Sequence, residues 1–177
     1  YTGRLNRRYG LELLLQAMKE LHDPDIELWL CGSGEMEEEI RAYAAQDSRI
    51  RFFGFLPHEE AVQLQKQATV LVNPRTNQGE YTKYSFPSKT MEYMASGRPV
   101  MMFRLDGIPG EYDPFLTYIP KESAASIRDT AESLRKLSPS ELDEMGARGR
   151  EFVLKNKNRN VQMHRVLDFI HKEQSDA

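Results

Sequence analysis

The sequence predicts an α/β fold, a three-layer sandwich in which helices cover both faces of a mostly parallel sheet of about six strands. Short apolar runs alternate with amphipathic helical segments along the first 120 residues. Helices of this length between strands are typical of parallel sheets with right-handed crossovers. The chain has 177 residues and is 40% hydrophobic, which suffices for one buried core, so we expect a single domain over 1–177.

The predicted elements follow one another in a regular order. The opening YTGRL is the end of a strand, and an amphipathic helix follows, with apolar residues at Leu11, Leu14, Leu15, Met18 and Leu21. Further strands are predicted at 26–32, 50–55, 69–75, 99–105 and 116–120, and the helices between them begin after GSGE, at Pro57 and at Lys89. Helical segments at 123–137, 139–155 and 159–173 end the chain and pack on the sheet.

Composition excludes several classes of protein. A net charge of -3 and a pI near 5.9 argue against nucleic acid or a polybasic membrane surface as the main partner. The single cysteine, Cys31, excludes an internal disulfide and fits a reducing compartment. No apolar run approaches the length of a membrane span. Because the sequence opens on YTGRLNRRYG without a starting Met, we interpret it as part of a longer protein.

The candidate binding segments are the loops that follow the strands, because ligands of open parallel sheets bind beyond the carboxyl ends of the strands. These loops are GRLNRRYG, GSGE, GFLPHE, NPRTNQGEYTKYSFPSK and RLDGIPGEY. Four of the five are rich in glycine, proline or basic residues.

Lys89 lies in the first turn of a predicted helix, where the helix dipole disfavours a cation. Free N–H groups at a helix start bind anions, and a phosphate there would make Lys89 favourable as a further positive group. Arg4, Arg7 and Arg8 lie in the first loop at the same edge, and guanidinium groups suit a diphosphate because each contacts two oxygens. A solvated lysine and a charged surface loop are the alternative interpretations.

Other residues give weaker indications of a site than Lys89 and the arginines of the first loop. Glu92, one turn after Lys89, has the position to accept hydrogen bonds from a vicinal diol such as a ribose, although an exposed helical glutamate gives the same pattern. GSGE lacks the third glycine of the dinucleotide fingerprint. Asp23 and Asp25 form an Asp-x-Asp at the opposite edge of the sheet, so we expect no metal ion there. His58 follows Pro57 in the first turn of a predicted helix, where we expect a surface position, with a place in the pocket as the alternative.

Taken in order, these segments resemble the C-terminal, donor-binding half of family 4 (group 1) glycosyltransferases, retaining enzymes with a two-domain, Rossmann-like B-type fold. The opening resembles the family's Gly-Arg-Leu segment with its helix, and LWLCGSGEMEEEI its Val-Gly-x-Gly strand, turn and helix. IRFFGFLPHEEAVQLQKQATVLVNPR is similar to its Gly-x-hydrophobic-Pro loop, helix and strand. FPSKTMEYMASGRPVM matches a Ser-Lys-x-x-Glu-Tyr-x-Ala-x-Gly-x-Pro-Val variant of its donor helix, and GIPGEY stands at its Gly-x-Pro-Glu turn.

The resemblance implies a nucleotide-diphosphate sugar as the donor substrate, with no cofactor and no metal. Arg4 and Lys89 would act catalytically by stabilising the leaving diphosphate, Ser88 would lie beside its distal phosphate, and Glu92 would bind the ribose hydroxyls. The loop from Gly54 would receive the nucleobase through backbone groups. The substrate-binding residues implied in all are Arg8, Gly32, Gly34, Gly54, Phe55, Leu56, Glu80, Tyr84, Ser88 and Glu92.

Two positions depart from the family's pattern. Tyr9 stands where the family has a lysine before the glycine that starts the first helix; Arg8 is the nearest substitute, and Arg7 is the alternative. Tyr84 stands at the first glutamate of the two-glutamate motif, so the sugar contact falls to Glu80, a neighbouring polar residue or Tyr84 itself. The identity of the donor sugar therefore stays open.

The resemblance also implies a glycan or lipid-linked acceptor bound by an N-terminal domain of the parent protein, with no nucleic acid partner. We expect a cytoplasmic location, which includes peripheral association with the inner face of the membrane. Two other interpretations stay open. One is a nucleotide-sugar epimerase or a non-catalytic nucleotide-binding domain of the same fold, and the other is a regulatory α/β domain whose basic loops bind a phosphorylated protein.

Overall fold

The computed structural model describes residues 1–78, 82 and 84–175. The strands are β1 (Leu28–Leu30), β2 (Ile50–Phe52), β3 (Leu71–Asn73), β4 (Val100–Phe103) and β5 (Thr117–Ile119). The helices are α1 (Leu11–Glu20), α2 (Glu37–Gln46), α3 (His58–Gln67), α4 (Ser88–Ala95), α5 (Ala124–Arg135), α6 (Pro139–Asn156) and α7 (Arg159–Ser175). The predicted alternation of strands and helices and the three closing helices are confirmed.

All strand pairings are parallel, but they form two groups. β1 pairs with β2, and β4 lies between β3 and β5. The opening segment adds only an isolated parallel bridge between Thr2 and Cys31. The prediction of about six strands was therefore too high for the described residues, and the predicted strands were too long. Buried residues beyond the end of a strand are also apolar, so they resemble strand residues in the sequence. Leu105, for example, follows β4 and belongs to no strand, yet it is fully buried.

The layers are visible in β4, whose four residues are all buried. Val100 and Met102 pack in one apolar cluster with residues of α4 and α6, whereas Met101 and Phe103 pack in a second cluster with residues of α1 and α5. Successive strand residues point to opposite faces, so this division places helices on both sides of the sheet. The α/β sandwich with helices on both faces is confirmed.

The last helix, α7, contacts α6 and carries large apolar side chains that are exposed, among them Val166 and Phe169. It contributes little to either core cluster. In the part of the chain that the structure describes, no helix is both long enough and apolar enough to cross a membrane.

Arg49 fixes the end of α1 against the turn before β2. Its guanidinium group donates hydrogen bonds to the carbonyl oxygens of Leu21 at 2.7 Å and Met18 at 2.9 Å, and to the Asp47 carboxylate at 2.6 Å. These carbonyls belong to the last turn of a helix, where intrahelical partners are lacking. The Arg49 side chain is only 19% exposed, so its loss leaves buried acceptors unsatisfied.

We expect Arg49→Met to lower the free energy of unfolding by about 2 kcal/mol, because hydrogen bonds from a charged donor are lost. Urea denaturation of the protein measures the change. Arg135→Met is the control, since Arg135 is 54% exposed and its ion pair with Asp25 should be worth less than about 1 kcal/mol. Equal changes in the two variants would refute the assignment of a structural role to Arg49.

Candidate functional site

A pocket of about 400 Å³ lies where the loops after β1 and β2 meet the start of α4. Its walls come from five segments: the opening loop, the turn after β1, the loop after β2, the start of α3 and the first two turns of α4. The lining residues are Thr2, Gly3, Arg4, Cys31, Gly32, Ser33, Phe55, Leu56, His58, Ala61, Lys89 and Glu92.

α4 begins at the edge of this pocket, which Lys89 in its first turn lines. The helix begins at Ser88 after Pro87, no side chain caps it, and its first turn contains no acidic residue. By contrast, α2 and α3 both carry glutamates in their first turn, which offset the helix dipole. The start of α4 therefore keeps its positive potential, and Lys89 in the same turn adds to it. This combination suits an anionic ligand.

Lys89 forms an ion pair with Glu92 across one turn of α4, with 3.0 Å between Nζ and Oε1. Both side chains are about one-third exposed, so the pair is open to the pocket. Burial by itself would raise the pKa of Glu92, but hydrogen bonds from Gln65 and Lys89 outweigh it and hold that pKa below the usual value. Glu92 is accordingly a carboxylate acceptor at neutral pH.

Arg4 brings a second cation to the pocket. Its side chain is exposed and makes no ion pair within the described part of the chain. The backbone beneath it is held by Tyr1, whose hydroxyl donates a hydrogen bond to the Arg4 carbonyl oxygen at 2.8 Å. The neighbouring Gly3 lies close to the Lys89 side chain, since a Cβ at Gly3 would stand 3.7 Å from Lys89 Cε. Arg4 and Lys89 thus lie on the walls of a single pocket.

Gly32 allows the turn after β1 to approach the opening loop. Its φ of +144° lies in a region that L side chains rarely adopt, and a Cβ there would overlap the carbonyl oxygen of Gly3. Its own N–H donates a hydrogen bond to the Gly54 carbonyl oxygen at 2.8 Å. Gly32 therefore joins three of the loops that form the pocket.

The structure places the predicted site residues in three groups. Those that line the pocket are Arg4, Gly32, Phe55, Leu56, Lys89 and Glu92. Those that adjoin lining residues along the chain without facing the pocket are Gly34, Gly54 and Ser88. Arg8 and Tyr84 lie apart from it, and Glu80 is outside the described residues.

The two arginines that follow Arg4 are turned to other partners. Arg8 donates a hydrogen bond to the Tyr9 hydroxyl at 3.1 Å, and its guanidinium carbon stands 5.0 Å from the centre of the Tyr9 ring. Arg7 is paired with Glu12 and with Glu39. The expectation that Arg8 replaces the family's lysine in the pocket does not match this placement, because stacking on Tyr9 holds Arg8 elsewhere. Tyr84 is 87% exposed.

His58 lines the pocket, which the sequence reasoning had given as the alternative to a surface position. The expectation of a surface position was incomplete, because His58 is exposed and also lines the pocket at the first residue of α3. The signal was present, since the loop GFLPHE had already been singled out at the binding edge. The lining residues that the sequence reasoning missed are Thr2, Cys31 and Ala61, which lie outside the candidate segments, whereas Ser33 lies within GSGE.

A larger cavity, about 780 Å³, lies between β1, β3, α1 and α5. Its walls are largely apolar, with residues such as Leu14, Met18, Val72 and Ile127. Its lining also includes Arg98, Arg135 and the start of α6 at Pro139, but both arginines are paired with aspartates and a capping box closes the start of α6. Its size therefore does not make it the better candidate for an anionic ligand. The smaller pocket is therefore the candidate site for an anionic ligand.

The sequence matches known glycosyltransferases. The family model described as "Glycosyl transferases group 1" matches residues 1–135. A D-inositol 3-phosphate glycosyltransferase of Corynebacterium diphtheriae is 34% identical over 120 residues, which cover 62% of this chain and 27% of that protein. The chain spans between 27% and 41% of the length of the curated relatives it matches.

Solved structures show the same fold. The C-terminal domain of a group 1 family glycosyl transferase (LpcC) of Francisella tularensis superposes with a TM-score of 0.70 at 18% identity, over 90% of this chain and 84% of that one. Anabaena Alr3699/HepE in complex with UDP gives a TM-score of 0.65 at 16% identity, over 99% of this chain and 48% of that one. At these identities the likeness concerns the fold, which is that of the B-type glycosyltransferases. With the family match covering most of its length, the chain belongs to the group 1 glycosyltransferases.

Proposed function

We propose that this chain is the donor-binding domain of a glycosyltransferase that binds a nucleotide-diphosphate sugar. In the full-length protein the glycosyl group would pass with retention to a glycan or lipid-linked acceptor. The observation that carries the proposal is the meeting of Arg4, Lys89 and the uncapped start of α4 at one pocket, in a chain of the glycosyltransferase family.

The proposed chemistry is the departure of a nucleoside diphosphate from the anomeric carbon of the sugar. Negative charge grows on the oxygens of the leaving phosphate as the bond breaks. Arg4, Lys89 and the free N–H groups of α4 would stabilise this charge without a metal ion, and Ser88 would lie beside the distal phosphate. Donors held in place before the reaction stabilise such charge more than water does, because they need no reorganisation.

The nucleoside would occupy the other walls of the pocket. Glu92 would accept hydrogen bonds from the ribose hydroxyls, and the loop of Gly54, Phe55 and Leu56 would frame the base. Phe55 is 74% exposed at the rim, so its ring is open to a ligand. Gly32 would let the backbone approach the nucleotide. The sugar contact is assigned to Glu80 or Tyr84, in the segment between β3 and α4.

The acceptor would be bound outside this chain. Because the chain spans less than half the length of its curated relatives, we assign the acceptor site to the remainder of the parent protein. This domain alone is then expected to bind the donor and transfer nothing. A place at the inner face of the membrane is part of the same proposal.

We expect saturable binding of a nucleoside diphosphate to the protein, measured by calorimetry and by thermal shift. Uridine diphosphate is the first probe because the similar HepE structure contains UDP, and guanosine diphosphate is the second. At 100 times its Kd the ligand should stabilise the fold by about 2.7 kcal/mol. Absence of saturable binding for both probes would refute the proposal and favour a regulatory phosphoprotein-binding domain.

A second measurement separates transfer from other nucleotide-sugar chemistry. The full-length protein is supplied with a nucleotide sugar, with and without a glycan acceptor. Transfer to the acceptor supports the proposal, whereas interconversion of the donor without transfer would show an epimerase of the same fold.

A further inference from the structure

Gln65 on α3 is a buried polar residue directly behind the pocket wall. It is 1% exposed and does not line the pocket itself. Its side-chain Nε2 donates one hydrogen bond to Glu92 Oε1 at 2.5 Å and another to Thr2 Oγ1 at 2.8 Å. The amide therefore joins α3 to α4 through Glu92 and to the opening loop through Thr2, and both of these partners line the pocket.

The orientation of this amide is set by the charge of Glu92. The two N–H groups of Gln65 satisfy two acceptors, while its Oε1 has no hydrogen-bond partner in the described part of the chain. Turning the amide around would place a carbonyl oxygen against a carboxylate, which is unfavourable at low local dielectric. A buried carbonyl left unpaired costs free energy, so this orientation persists because the bond to a charged acceptor is the stronger one.

Glu92 is thereby fixed through one of its two oxygens. Oε1 accepts hydrogen bonds from both Gln65 and Lys89, and for Oε2 the described structure shows no protein hydrogen bond. The Lys89 contact is the less permanent of the two, since a bound diphosphate would attract the same ammonium group. Gln65 is buried and has no such competing partner.

We infer that Gln65 is a positioning residue for the donor site: its amide holds the Glu92 carboxylate in place while Lys89 turns to the diphosphate, and so presents Oε2 to the ribose hydroxyls. The inference rests on the proposed function. Gln65 itself touches no ligand in this proposal. It sets how strongly the protein prefers a ribose over the same sugar without its 2′ and 3′ hydroxyls.

The first test compares binding of uridine diphosphate and its 2′,3′-dideoxy analogue to the full-length protein by calorimetry, or the guanosine pair if that base is the one bound. For Gln65→Leu we expect about tenfold weaker binding of the ribonucleotide and little change for the dideoxy analogue, so that the discrimination is lost. Tyr93→Phe is the matched control: it removes hydrogen bonds to Thr2 but leaves the Gln65–Glu92 bond, and it should retain the discrimination.

The second test uses Gln65→Glu, which keeps the shape of the side chain. Two carboxylates at this distance share a proton at low pH, so the protonated Glu at position 65 donates to Glu92 as the amide does. At higher pH both lose their protons and repel. The ratio of ribonucleotide affinities, variant to wild type, should therefore be close to one near pH 5.5 and fall several-fold by pH 8.

The outcomes distinguish a failure of the proposed function from a failure of the inference on Gln65. A wild-type protein that binds neither nucleoside diphosphate refutes the proposed function. Binding without preference for the ribonucleotide, or unchanged discrimination in Gln65→Leu together with a pH-independent ratio in Gln65→Glu, overturns the inference on Gln65 and leaves the donor site standing. A purely structural role would lower the stability of both variants without either signature.

Discussion

Replacing Lys89 by alanine should lower kcat of the full-length enzyme by about 100-fold or more, with glycosyl transfer to the acceptor as the assay. Lys89 lies on the pocket wall in the first turn of α4, and its ammonium group would face the charge that develops on the leaving diphosphate. Removing one such donor costs about 2.7–4 kcal/mol of transition-state stabilisation in other enzymes. The effect on kcat should exceed the effect on KM, since the charge is greatest in the transition state.

The same substitution should leave the fold intact. The Lys89–Glu92 pair is partly exposed, and pairs of this kind contribute at most about 1 kcal/mol to stability. Lys136→Ala is the control, because Lys136 is exposed at the end of α5, away from the pocket. Turnover within twofold of the wild type in Lys89→Ala would remove Lys89 from the mechanism, and a large fall in Tm would show that its role is structural.

The sequence predicted the layers of this fold better than its sheet. Apolar runs such as VMMF indicate burial on both faces, and the structure confirms it for β4. Pairing is a different property, because it depends on which backbone groups meet. Leu105 and Val70 have the apolar character of strand residues but lie just outside the ladders. The predicted strands therefore extended beyond the real ones, and two parallel groups were taken for one sheet.

The convergence of the binding loops was predictable from topology. The carboxyl ends of parallel strands meet at one edge, which brings Arg4, Lys89 and the loop at Phe55 to one pocket although up to 85 residues separate them. The direction of an individual side chain was not predictable. Nothing in GRLNRRYG reveals that Arg8 stacks on Tyr9 while Arg4 faces the pocket.

Gln65 is a polar residue at a position where the helical pattern of the sequence predicts burial, a feature that secondary-structure propensity does not reveal. It follows Ala61 by four residues and Val62 by three, so it lies on the inward face of α3. A polar residue at such a position needs a buried partner, and the structure supplies Thr2 and Glu92. The identity of these partners depends on tertiary contacts of α3 with α4 and the opening loop, which no local pattern encodes.

Replacing Gly32 by alanine should lower the free energy of unfolding by about 3 kcal/mol or more, a fall in Tm of roughly 6–12 °C for a chain of this size. Two penalties combine at this residue. Its φ of +144° strains any L side chain, and a Cβ would overlap the Gly3 carbonyl oxygen, so one of the two loops must move. Gly110→Ala is the control, because Gly110 is exposed and the nearest atom to its Cβ would be Asp113 Oδ2 at 3.8 Å.

Gly32→Ala should also weaken nucleotide binding, whereas destabilising substitutions in the core away from the pocket should lower stability only. The loop that must move carries Gly3 and Arg4, and the hydrogen bond from Gly32 to Gly54 ties the same turn to the loop proposed for the base. Stability and affinity are thus expected to fall together in this variant, whereas Lys89→Ala should lose activity with little loss of stability. Denaturation and calorimetry on the two variants measure both quantities. A Gly32→Ala protein with unfolding energy and nucleotide affinity close to those of the wild type would mean that the turn after β1 does not shape the pocket.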